Sequence, residues 1–131
     1  MNKRISFKEI RIKFYKLTAA HEQLILKFVN GMILDKSARL DDYKPPTPEQ
    51  NREDFRVLLH RCNVDMVTDK TEKLDVQHLS AEVIDISVGG MCVKLAADVK
   101  LVRNSFISLH LHFVETEPIV RGIILGLQYS D

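Results

Sequence analysis

Two arginines, Arg52 and Arg56, stand four residues apart in the stretch NREDFR. A guanidinium is a planar, permanently charged fork that pairs bidentately with phosphate, so two of them in one short segment suit an anionic ligand. A solvated, charged turn has the same composition, and the stretch by itself fits both. The second chemistry-bearing stretch is DISVGGM, residues 85–91. Asp85 and Ser87 can cap their own turn, and Gly89 and Gly90 are expected to supply positive φ. A tight hairpin needs no more than this. A ligand site uses the same physics, because a glycine clears side-chain bulk while a carboxylate and a hydroxyl project from a fixed turn.

Other candidates are thinner. His110 and His112 in SLHLHF are expected on one strand, where i and i+2 share a face, and such a pair can ligate zinc. No third ligand stands at a recognisable spacing, so no metal is expected, and no cofactor. His21, His60 and His78 show no partner pattern and read as structural. There is no Ser–His–Asp order, nucleophile elbow, P-loop or paired-carboxylate arrangement, so the expectation is a binding protein, not an enzyme. Cys62 and Cys92 sit in apolar surroundings and read as buried free thiols, which fits a reducing, cytoplasmic setting.

The elements that must position these residues fall on either side of a proline-rich run. A chain of 131 residues, 45% hydrophobic and 28% charged, can bury one core without disulfides or metal. No apolar run approaches the roughly 18 residues needed for a membrane span, and the N-terminus has no signal-peptide core. Residues 1–44 carry a net +5 and the remainder −4. That asymmetry suits either a docking surface or a solvated face, and the near-neutral total argues against DNA or RNA as partner. Pro45, Pro46 and Pro48 mark a semi-rigid linker over 41–51. Before it, residues 1–40 hold a strand, with Ile10, Ile12 and Phe14 alternating with Arg11 and Lys13, and then an amphipathic helix. Leu24, Ile25, Phe28, Val29 and Met32 form the helical stripe, and Thr18 is the expected N-cap. The helix ends at Gly31 as C′ or runs on toward Leu40. The stripe suits a core contact or a homo-oligomer interface. After the linker, residues 52–131 read as β throughout: VLLHRCNVDMV as one alternating strand over 57–67, then 79–87, 91–95, 105–114 and 119–130. Short strands at this spacing suggest an antiparallel barrel or sandwich, mainly β and α+β by content.

The two stretches, taken in order, resemble the PilZ family. RxxxR (Arg52, Arg56) runs straight into a strand, and DxSxxG (Asp85, Ser87, Gly90) follows. FRVLLHRCNVDMV after the arginines, MCVKL after the glycine and LGLQYSD near the end add to the likeness, which covers about residues 50–131. The resemblance implies a small six-stranded-type antiparallel β-barrel that binds the bacterial second messenger cyclic di-GMP. It assigns Arg52, Arg56, Asp85, Ser87 and Gly90 to the ligand, with Arg61 as an auxiliary cation. The chemistry is consistent with those residue types: arginine can engage the phosphates, the guanine O6/N7 edge or a base face, and Asp85 can accept from guanine N1–H or N2–H₂. The signal would pass to a protein effector in motility, polysaccharide export or pilus assembly. The alternative is a degenerate relative that keeps the barrel as a protein-interaction or oligomerisation module without nucleotide. Two departures stand out. IVRGIILGLQYSD passes through the last two strand positions without a turn, so the barrel lacks a strand or one long bent strand does the work of two. The N-terminal strand and helix resemble the tail that closes many such domains, and are expected to supply the missing pieces to this barrel or a neighbour's.

Overall fold

The computed structural model describes residues 7–39 and 57–130. The first strand, β1 (Phe7–Phe14), buries Ile10, Ile12 and Phe14 and turns Arg11 and Lys13 outward, the period-two pattern of a half-buried strand. Lys8 shares the inward parity and is also buried; that burial pushes its ammonium below the ordinary lysine value, with Asp98 pulling the other way. After a short turn comes α1 (Ala19–Arg39). Thr18 is its N-cap: the backbone N–H of His21 donates to Thr18 Oγ1 at 3.1 Å. The helix does not stop at Gly31, where nothing crowds the backbone, but continues to Arg39. Ile25 and Val29 are buried in the core, Leu24 and Met32 pack at its edge, and the Phe28 ring lies 5.1 Å from that of Phe113.

The remaining strands are β2 (Val57–Leu58), β3 (Asn63–Thr68), β4 (His78–Ile86), β5 (Gly90–Ala96), β6 (Phe106–His110) and β7 (Ile119–Ser130). Six of them run in the order β4-β3-β6-β7-β1-β5, and pairing of β5 with β4 closes the ring. Every pairing is antiparallel, so the architecture is a closed six-stranded barrel with β2 as an extra strand and the N-terminal helix packed against its core. Closure leaves no free edge along the ring, which removes the aggregation hazard of an open sheet.

The N-terminal strand is therefore part of this chain's own barrel, seated between β5 and β7. That seat explains the missing turn. β7 is one continuous strand whose first part, Ile119–Ile123, pairs with β6 and whose later part, Gly122–Ser130, pairs with β1. It bends where Arg11 faces Gly126 but Ile12 faces Ile124, leaving Leu125 as the extra residue of a bulge.

Two strand expectations need correction. Residues 57–67 are not one alternating strand, because Val57 and Val64 both face the core although their parities differ. The register is recovered by a loop-out. Leu59 N–H donates to Ile84 O at 2.9 Å and Val83 N–H donates to Cys62 O at 2.7 Å, so His60 and Arg61 are expelled between consecutive partners. Arg61 takes a φ of 55°, which a regular strand would not allow. Likewise β6 ends at His110, and His112 lies in the following turn, not on the strand.

Candidate functional site

The β4–β5 connection carries DISVGG. Ser87 N–H donates to Gly90 O at 2.8 Å, closing the turn. Ser87 is 1% exposed, and its hydroxyl is directed at the same carbonyl, 3.4 Å away. That hydroxyl braces the hairpin instead of reaching outward. Gly90 does not supply positive φ, contrary to expectation, and neither does any other described glycine. What requires a glycine there is crowding by β1, whose register places Lys13 opposite Gly90. An added Cβ would lie 2.2 Å from the Ile12 carbonyl oxygen, far inside any tolerable contact. Phe14 N–H donates to Gly89 O at 2.9 Å from the same strand. The turn is thus held from inside by Ser87 and from the side by β1.

Asp85 stands two residues before Ser87, half-buried on β4, opposite Leu58 of β2 and Cys92 of β5. It lines a cleft of about 280 Å³ on the outer wall of the barrel, together with Glu9, Arg11, Ile84, Cys92, Gly126 and Leu127. This is at the low end of ligand pockets, which run to about 300–1,000 Å³. Its walls come from β1, β4, β5 and β7, so the cleft exists only because β1 fills the gap between β5 and β7. Arg11 is the residue that the sequence reading passed over. Its outward parity was legible, but nothing local says that Arg11 and Asp85 share a cleft.

Arg52 and Arg56 lie outside the described residues. The structure does show where the chain enters the barrel directly after them: Val57 pairs with Ile86 and Leu58 with Asp85. The arginine pair is therefore joined, one residue on, to the strand that flanks Asp85. Arg61 is exposed on the loop-out between β2 and β3 and does not line the cleft. Cys92 is buried and Cys62 half-buried; burial pushes the pKa of the Cys62 thiol up. The helix and the turn after β6 are tied by an exposed pair, Lys27 Nζ to Glu115 Oε2 at 3.0 Å. Among the described residues no helix is long and apolar enough to cross a membrane.

A small closed antiparallel barrel, with a polar cleft on its outer wall and a DxSxxG turn pinned beside it, is the class of domain these observations define. The family model described as the PilZ domain matches residues 50–127, more than half of the chain, and the chain belongs to that family. PilZ domains are receptor and binding domains. No curated protein and no solved structure matches the chain significantly.

Proposed function

We propose that the chain is a cyclic di-GMP receptor that signals to a protein effector in the bacterial cytoplasm. The observation that carries this reading is the placement of Asp85 and Arg11 in one outer-wall cleft, beside the strand that follows Arg52 and Arg56. Asp85 accepts from the N1–H and N2–H₂ edge of one guanine, a pattern adenine lacks. Arg52 and Arg56 close on phosphates or on a base face from the segment before β2. Ser87 and Gly90 hold the turn in shape and do not touch the ligand. Binding then acts through a conformational change at the arginine segment, because the ligand contacts those side chains in one state and not in the other. Calorimetric titration of cyclic di-GMP into the wild type and Arg52→Ala tests it. Losing one bidentate arginine is expected to weaken affinity by about 1–3 kcal/mol, roughly 5- to 150-fold. A folded wild type that gives no heat sinks the receptor reading.

One observation favours a second reading, a protein-interaction or oligomerisation module without nucleotide. Ser87 and Gly90, two of the three DxSxxG residues, are each accounted for by barrel construction alone. Under that reading the same titration is silent, and sedimentation shows self-association or complex formation independent of nucleotide.

A further inference from the structure

On the barrel wall away from the Asp85 cleft, four side chains with metal-ligand chemistry converge from three segments. Asp65 of β3 stands directly opposite His110 of β6. Leu111 follows and is fully buried, which anchors the chain as it leaves the strand and keeps the two flanking imidazoles on the outside. The turn brings the His112 ring centroid to 3.8 Å from that of His110. His112 Nε2 lies 2.5 Å from Asp65 Oδ2, and its Nδ1 lies 3.0 Å from Glu117 Oε1. Glu117 Oε1 is also 4.0 Å from His110 Nε2.

We propose that Asp65, His110 and His112 bind a divalent transition-metal ion of the zinc class, with Glu117 orienting His112. The ligand atoms of the three residues already lie within 4.8 Å of one another. A tetrahedral ion with bonds of about 2.0–2.2 Å sets donors roughly 3.4 Å apart, so the widest pair must close by up to about 1.4 Å and the His112–Asp65 pair must open by about 0.9 Å. All three ligands are at least partly exposed and can make that adjustment. Without metal, both ring N–H groups of His112 donate to carboxylates, Nδ1 to Glu117 and Nε2 to Asp65; an ion displaces the Nε2 proton while Glu117 keeps the Nδ1 one, which gives the carboxylate–histidine–metal arrangement. Two imidazole nitrogens and one carboxylate oxygen suit zinc, cobalt, nickel or copper, whereas magnesium and calcium favour all-oxygen sets. Charge is compatible with this: among the described residues no lysine or arginine pairs with Asp65 or Glu117, and their recorded cationic partners are the two histidines, whose metal-facing protons an ion displaces. Three protein ligands leave a fourth position for water or a further ligand. Spacing along the chain could not reveal this set, because Asp65 comes from across the sheet.

The test uses the tag-free full chain, stripped with chelator and titrated with zinc chloride by calorimetry and with cobalt(II) by visible absorption, without nucleotide. One zinc per chain is expected, with the intense visible bands of tetrahedral cobalt. His110→Ala, His112→Ala and Asp65→Asn should each abolish those bands, while His21→Ala leaves them unchanged. Glu117→Gln should keep the bands and weaken zinc about 10- to 100-fold. Circular dichroism checks that each variant is folded; the cluster is on the surface, and Asp65→Asn retains shape if an alanine variant does not fold. Absence of zinc binding by the folded wild type overturns the proposal, as does binding that survives unchanged in the three ligand variants.

Discussion

The α-carbon of Gly90 lies so close to Ile12 that a Cβ on the glycine would sit 2.2 Å from the Ile12 carbonyl oxygen. The last residue of DxSxxG is therefore a closure residue, where the β4–β5 hairpin meets the strand that completes the barrel. Its φ is not positive, so the constraint is contact and not backbone conformation.

Gly90→Ala is accordingly expected to destabilise the fold by about 1–3 kcal/mol, the usual range for overpacking a close contact. The atom it meets is main chain, which cannot swing aside as a side chain could. Urea denaturation of the wild type and the variant measures it, as a lower midpoint at similar slope. An unchanged midpoint would show that β1 does not press on the hairpin.

Arg11 and Asp85 give the second expectation, which rests on the cyclic di-GMP reading. Arg11 is outward on β1 and leaves the core untouched when truncated. Arg11→Ala should weaken cyclic di-GMP binding about five-fold, the worth of roughly one hydrogen bond, without moving the urea midpoint. Asp85→Ala should cost more, about 1–3 kcal/mol, because the guanine edge loses its acceptor. Equal affinities for wild type and Arg11→Ala would place the ligand elsewhere than the cleft.

The third expectation concerns acid. Arg121 clamps Asp69 with two parallel bonds, Nη1 to Oδ1 at 2.8 Å and Nη2 to Oδ2 at 2.5 Å, and Nη1 also donates to Ser108 Oγ at 2.9 Å. The hydrogen bond from Arg121 holds the Asp69 carboxyl below its ordinary value. A carboxyl with a depressed folded-state pKa contributes stability above the unfolded value of about 3.9 and loses it as pH falls through the folded one. The side chains are 41% and 43% exposed, so screening limits the contribution to about 1 kcal/mol at most. Asp69→Asn should therefore lower the urea midpoint at pH 7, and the gap from wild type should close as pH drops below about 4. A gap independent of pH would mean that the pair acts through shape and not charge.

Much of the local structure was legible because it depends on neighbours in the chain. Ile10, Ile12 and Phe14 alternate with charged residues, and β1 forms there. Thr18 caps the helix, and Ile25 and Val29 of its stripe are buried. Gly31 left two helix ends open, and the longer one formed, since a glycine at an exposed helical position costs only about 1 kcal/mol and the surrounding residues outweigh it. The 57–67 alternation failed because β4 offers adjacent partners, Ile84 and Val83, to Leu59 and Cys62, and the core must accept both Val57 and Val64. Pairing and burial then overrode the local period, expelling His60 and Arg61.

The residue pattern by itself determined the strand content, the helix with its N-cap and the two half-motifs, because hydrophobic period and turn chemistry are summed over short windows. Only the tertiary structure decided that β1 lies between β5 and β7, that Arg11 shares a cleft with Asp85, and that Asp65 meets His110 and His112. Those relationships are set by strand register and ring closure. Both depend on packing one interior from segments far apart in the chain, and no short window of sequence contains that information.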